Sequence, residues 1–446
     1  MSSEKQYIDL YGRYRKVIFD HSSDIMNAVR DTSFEDFKRQ GFPSRKVERY
    51  RYTDIQEVFA PDYGLNLNRL GIPINPYEAF KCDVPNLSTT NYFVVNDAFH
   101  KDNLPKAMLP DGVIVDSLRD VTVQNPNFIG KYYAKLAETN KDAVTALNTM
   151  LAQDGLFVYV PKGVKVDKTI QVINILRSDV DLMVNRRVLI VVEPDAEVKF
   201  LFCDHAFDDR HFLATQVIEA YVADHACLDL YCMEETHEKS TRVSNVYIQQ
   251  QANSRVNHNV ITLHNGVTRN GTHLVFRGEG AMCNLSGCVI ADKNQHVDNH
   301  TLIDHAVPNC SSQELYKYVL DDKAVGAFAG LVLVRQDAQH TDSEMRNQNI
   351  CVTKDAHMFT QPMLEIYADD VKCAHGSTVG QLNDDALFYM RQRGINEKEA
   401  KLLLEVAFIN EVIDKMNLEP LRQRLHHLVE KRFRGEFDRC EGCKKI

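Results

Sequence analysis

From Gly155 to about Asp370, short runs rich in Val, Ile, Leu and Phe alternate with polar turns. LFVYV is followed by PKG, RRVLIVV by EPDA, and EVKFLF, QVIEAYV and CLDLYC come after. Apolar runs of this length, bounded by turn residues, predict buried strands. The turn centres Pro161, Pro194, Asp224, Ala252 and Gly280 are 33, 30, 28 and 28 residues apart, a loose period in the range of solenoid repeats. Stacked coils satisfy each strand's backbone groups with those of the next coil, and Val198, Phe200 and Phe202 would enter one continuous core. A β-helix is the preferred architecture. A β-sandwich is the competing one, because short strands and frequent turns also build sandwiches.

The flanks follow a different pattern. Residues 1–90 read as mainly helical: Tyr7, Leu10, Tyr11 and Tyr14 recur at helical spacing, and SFEDFKRQG ends on Gly41, a suitable cap. Prolines and asparagines crowd the stretch from Pro61 to Pro85, which predicts an irregular connection. The core, 91–381, opens with the strand-like runs NYFVV and GVIVDSL and holds a helical interlude at 127–153. Its stripes are Phe128, Tyr132 and Leu136, then Val144, Leu147 and Leu151. From 382 to 446 the chain is helical again. Asp384 is expected to cap LFYMRQR and Gly394 to end it. Asn396 and Glu399 form a capping box for a helix carrying Leu403, Val406, Ala407 and Met416, and Pro420 opens LRQRLHHLVEKRF. Helices this amphipathic must dock, either on the body or on a partner.

Composition narrows the function. The chain has 446 residues, 44% hydrophobic and 26% charged, the balance of a folded globular protein. There is no apolar run long enough to span a bilayer, and MSSEKQYIDLYGRYRK has no signal-peptide character, so a cytoplasmic protein without membrane association is expected. A net charge of -10 repels phosphate backbones, which argues against nucleic acid as a partner. The eleven cysteines are scattered through a long chain and read as thiols, most of them core residues, such as Cys203 and Cys232. A phosphate loop, G-x-G-x-x-G, H-E-x-x-H and G-x-S-x-G are all missing. The chain is therefore expected not to be an enzyme, and nucleotide-driven work would fall to a partner.

Three groups of residues suit metal chemistry. His296, His300 and His305 cluster in NQHVDNHTLIDHAVPN, although polar residues at the bends of stacked coils commonly form hydrogen-bonded ladders, and that structural role is preferred. Cys373 and His375 are two apart, so on a strand both leave the same face and present a thiol and an imidazole together, a pairing that suits iron or zinc. Two ligands make half a site, which implies others from elsewhere, such as another subunit. Cys440 and Cys443 form a terminal C-x-x-C with no second pair, and a redox-sensitive tail is preferred to a metal site.

KCAHGSTVGQL at Lys372 to Leu382, followed by LFYMRQRGI, resembles the hallmark of the SufB/SufD family of iron-sulfur assembly proteins, and its SufD branch more closely. HTLIDHAVPNCSSQELYKYVL, AFAGLVLV, AQHTDSEMRNQNI and PMLEIYADDV extend the likeness, and PSRKVERYRYTD matches a family segment with Tyr50 where tryptophan is usual. His375-Gly376 favours the SufD branch, since SufB-type chains carry C-E-H-E-A there. The resemblance implies a right-handed parallel β-helix between helical terminal regions. It implies a heterodimer with a SufB-type subunit along the β-helix, or a homodimer when the chain is alone, and a SufC-type ATPase bound through the C-terminal helices. It also implies that the nascent iron-sulfur cluster forms near the SufB interface, with His375 contributed by SufD-type chains and Cys373 as the weaker ligand. No cofactor is expected to be bound stably by the isolated chain. The alternatives from other classes are an exported polysaccharide-active β-helix enzyme, disfavoured by the missing signal peptide, and a purely structural module.

Overall fold

The computed structural model describes residues 3–72, 74–79, 89–102, 104 and 109–436. Among the described residues the strands between Thr89 and Gly380 form two sheets, one of ten strands and one of nine, and from Leu156–Val160 onward the chain alternates between them. In the larger sheet Thr89–Val95 pairs in parallel with Thr169–Leu176, and from there each strand pairs in parallel with the strand two places on, through Ser311–Leu320 and Asp342–Cys351 to Lys372–Gly380. The smaller sheet runs in the same way from Leu156–Val160 to His357–Ile366. Among the described residues only the short strands Ala98–Phe99 and Ile114–Ser117 pair antiparallel with their neighbours, both at the N-terminal end. Strands that pair with their second neighbour define a parallel β-solenoid rather than a sandwich.

The corners explain the period. Gly163, Asp195, His225, Asn253, Gly280, Asn309 and His340 all have positive φ, one in each coil. This left-handed conformation favours Gly, Asn, Asp and His. It turns the N–H outward along the stack: Gly163 donates to the Pro194 carbonyl at 2.9 Å, Asp195 to Asp224 at 3.0 Å, and His225 to Ala252 at 2.8 Å. The turn centres expected from the sequence are thus the joints where one coil is tied to the next.

Alternate residues of both sheets fill the lumen. Val198, Phe200, Phe202, Leu228, Leu230, Ile248 and Phe328 belong to one continuous apolar cluster. Cys203 and Cys232 are buried as expected, Cys232 in the lumen and Cys203 on the outer face beneath the C-terminal helices. Polar side chains interrupt the lumen: Arg186 pairs with Asp204 at 2.5 Å, and Arg242 with Glu234 at 3.0 Å. A buried charge persists only when paired and hydrogen-bonded, and Thr268 donates to Glu234 as well.

The N-terminal region covers the outer face of the nine-stranded sheet. Helix Ser3–Asp20 contributes Tyr7 and Tyr11, helix Arg30–Gln40 contributes Phe37 and ends at Gly41, and both pack with helix Ala143–Leu151 on Met183, Leu213 and Val243. PSRKVERYRYTD acts as a strap across the same sheet. The Tyr50 hydroxyl and Arg49 bind the buried Asp142 carboxylate, and the Arg269 guanidinium sits 3.9 Å from the Tyr50 ring centre. Thr53 donates to Asp298 at 2.6 Å, and Tyr52 stacks on Phe359 of the last strand of this sheet at 4.9 Å.

The interlude at 127–153 departs from expectation. Helices form at Leu118–Gln124, Pro126–Ile129 and Ala143–Leu151, and the stretch carrying Tyr132 and Leu136 is a run of turns. The buried Glu219 carboxylate accepts from the backbone N–H groups of Ala134, Leu136 and Ala137 at 2.9, 2.9 and 3.1 Å. Those donors are then lost to any helix, and Arg187 neutralises Glu219 at 2.6 Å.

Among the described residues three helices follow the last strand: Asp384–Gln392, Glu397–Ile413 and Glu419–Phe433. Asn383, not Asp384, caps the first, accepting from the Ala386 amide at 2.9 Å. Asn396 caps the second, accepting from the Glu399 amide, while the Glu399 carboxylate binds Arg434 instead of closing the box. The second helix buries Leu402, Ile409, Val412 and Ile413, and turns Leu403 and Ala407 to solvent. Its roll is set by the apolar outer face of the ten-stranded sheet, where Tyr231, Met233, Ile261, Ile290 and Val319 meet Ile409, Val412, Met416, Leu421 and Leu425. Lys317 on that face binds Glu411 and lies 4.2 Å from the Phe408 ring centre. Two of the three helices therefore dock on this chain's own body. The first buries nothing, and Phe388 and Tyr389 are 63% and 57% exposed.

Removing one member of a fully buried pair leaves the other charge uncompensated. Glu219→Ala is expected to cost roughly 3–5 kcal/mol in urea unfolding and to speed hydrogen exchange at Ala134, Leu136 and Ala137.

Candidate metal centre at the open end of the solenoid

Strand Lys372–Gly380 is the last of the ten-stranded sheet, and His357–Ile366 the last of the other. Among the described residues no strand lies beyond either, so both present unpaired backbone donors and acceptors. The register sets Ser343 beside Cys373 and Met345 beside His375. Ser343 and Met345 lie on the buried, alternating row that lines the lumen, so Cys373 and His375 continue that row where the lumen opens.

The two side chains differ in environment. Cys373 is half-buried and packs against the lumen cluster with Met358, Leu364 and Val371, whereas His375 is exposed. Burial, and after it the neighbouring Asp342 carboxylate, push the Cys373 thiol above its ordinary range, while the Ser343 backbone acts in the opposite sense. Sequence reasoning had paired the thiol and imidazole but missed Asp342, Ser343 and Met345, which enter through the inter-strand register and carry no local signal. One thiol and one imidazole on a rim can bind iron or sulfide-bridged iron only with ligands from outside this group. Among the described residues no set of three or more His, Cys, Asp or Glu is grouped to hold a metal ion.

The other candidates lie apart. His296 and His300 are on the outer face of one strand, and His305 on its lumen face. His296 bonds Thr53 Oγ1 at 2.9 Å, His300 lies 6.1 Å from the His273 ring, and His305 bonds Ser312 Oγ at 2.9 Å. Burial holds all three below the usual imidazole range, His305 down to about 4, as expected of neutral structural histidines. Cys440 and Cys443 lie outside the described residues.

Fold and rim together define a parallel β-solenoid protein that carries Cys373 and His375 on the last strand at its open end. The SufBD N-terminal region model matches residues 1–172, and the SUF system FeS cluster assembly SufBD core domain model matches residues 175–408. The chain belongs to the SufBD family of iron-sulfur cluster assembly proteins. It is 26% identical to a SufBD family protein of Synechocystis over 410 residues, covering 88% of this chain and 90% of that one. It is 37% identical to the iron-sulfur cluster assembly protein SufD of Escherichia coli over 169 residues, 38% of this chain and 40% of that protein. The chloroplastic protein ABCI7 of Arabidopsis thaliana is 26% identical over 422 residues, 92% of this chain and 86% of the relative.

Because the folded environment disfavours the thiolate, Cys373 is expected to react slowly with iodoacetamide at neutral pH, its rate still climbing beyond the ordinary thiol value of about 8.5. Asp342→Asn should move that profile to lower pH. Mass spectrometry of the alkylated peptide reads both, and a rate already level at pH 8 would contradict the assignment.

Proposed function

We propose that this chain is a SufD-type scaffold subunit of the SUF iron-sulfur assembly complex, pairing with a SufB-type subunit at the open end of the solenoid. The observation that carries this reading is the exposed His375 beside the half-buried Cys373 on an unpaired strand edge. A partner strand laid along that edge satisfies the free backbone groups and brings the missing ligands to the rim. Iron and sulfide are then cargo received between two chains rather than a resident group, and Cys373 gives up its proton on binding metal.

The ATPase contact in this reading is helix Asp384–Gln392, reached a few residues after the ligand strand. With the next two helices committed to the body, Phe388 and Tyr389 are the exposed apolar groups that a SufC-type partner would cover. Nucleotide-driven movement of this helix would pull on Lys372–Gly380 and reshape the inter-subunit rim. In this reading the isolated chain turns nothing over, and its place is the cytoplasm.

Co-purification with SufB- and SufC-type partners tests both contacts. His375→Ala is expected to leave the complex intact and lower cluster formed per complex by tenfold or more, read from visible absorption. Phe388→Asp with Tyr389→Asp should release the ATPase subunit without lowering the melting temperature. Unchanged cluster yield would refute the site, and retained ATPase would refute the helix.

A further inference from the structure

The proposed function leaves the histidine-rich segment unused, and His305 is its one member on the lumen face. His305 is fully buried in the lumen, packed 4.7 Å from the Phe276 ring centre, and its Nε2 bonds Ser312 Oγ at 2.9 Å. Ser312 Oγ bonds Ser343 Oγ at 2.8 Å. Ser312, Ser343 and Cys373 are lateral neighbours in register on the last three strands of the ten-stranded sheet. A buried chain of polar groups therefore runs across the coils from an imidazole to the strand beside the candidate ligand. The last step, Ser343 to Cys373, is one inter-strand spacing of about 4.8 Å, which the Cys373 side chain can close by turning about its own χ1 while the Ser312–Ser343 bond holds.

Each link can reverse. A hydroxyl both donates and accepts, and a neutral imidazole presents N–H at either nitrogen. Among the described residues His305 Nδ1 has no hydrogen-bond partner, and burial keeps the ring neutral, so Nε2 is able to act as donor. In that polarity His305 donates to Ser312, Ser312 to Ser343, and Ser343 to the sulfur. Asp342, the other titratable group beside Cys373, is a carboxylate that offers no such donor.

We propose that His305, Ser312 and Ser343 form a positioning chain that delivers a hydrogen bond to the Cys373 sulfur when it holds metal. The inference rests on the cluster-ligand reading of Cys373. Outer hydrogen bonds of this kind orient a ligand and lower the electron density on its sulfur.

The test uses the assembled complex carrying its iron-sulfur cluster. Ser343→Ala is expected to shift the sulfur-to-iron absorption band to longer wavelength and lower the reduction potential of the cluster, because the sulfur lone pairs lose a donor. His305→Phe, close in volume, should move both in the same direction by less. Ser343→Thr keeps the hydroxyl and should leave both as in the unaltered chain. Wild-type spectra and potentials in Ser343→Ala and His305→Phe, with the melting temperature retained, would overturn the proposal. A Cys373→Ala arm separates the two layers. Unchanged cluster yield there defeats the ligand reading itself, whereas loss of cluster there with silent Ser343→Ala and His305→Phe defeats only the chain.

Discussion

The structure depends on one constraint: each coil completes its backbone hydrogen bonds with the coils on either side. Corner residues in the left-handed conformation pass an N–H to the next coil, and the strands between them pair in parallel along their length. A stack built this way has no preferred length, since every added coil repeats the same bonds. The N-terminal end is closed by two short antiparallel strands. At the C-terminal end the repetition stops, and among the described residues no strand pairs with the outer donors and acceptors of the last two strands. The architecture that stabilises the body thus creates the surface on which the proposed site is assembled.

Stability is distributed unevenly around that stack. The lumen combines aliphatic and aromatic rows with buried ion pairs, and the outer faces are covered by the chain's own helices: the N-terminal region on one sheet, the last two helices on the other. The strap around Tyr50 reaches from Asp142 to Phe359 and so couples the N-terminal cover to the edge strand of the nine-stranded sheet. Helix Asp384–Gln392 is the exception, joined to the ligand strand on one side and to a docked helix on the other. Elements with few buried contacts are those able to move while the rest holds.

Much of the architecture was legible in the sequence because its signals are local. Pro194, Asp224 and Ala252 announce corners through turn chemistry, Gly41 and Asn396 announce helix ends, and the spacing of Cys373 and His375 puts both on one face of any strand. The roll of helix Glu397–Ile413 was not legible: Leu403 and Leu402 are equally apolar, and the sheet beneath decides between them. The break in the interlude was hidden for a similar reason. Tyr132 and Leu136 have helical spacing, but Glu219, distant in the chain, takes the N–H groups that a helix needs.

By itself the sequence determined the repeat, the helical flanks, the family likeness and the pairing of one thiol with one imidazole, because period, turn residues and short motifs are properties of neighbours along the chain. The tertiary structure alone decided that these two side chains stand at the mouth of an open lumen, that Asp342 and Ser343 adjoin the thiol, and which C-terminal helix is left uncovered. Those facts arise from register and docking between segments far apart in sequence. They are set by where unpaired backbone groups and apolar faces find partners, which a single strand or helix does not encode.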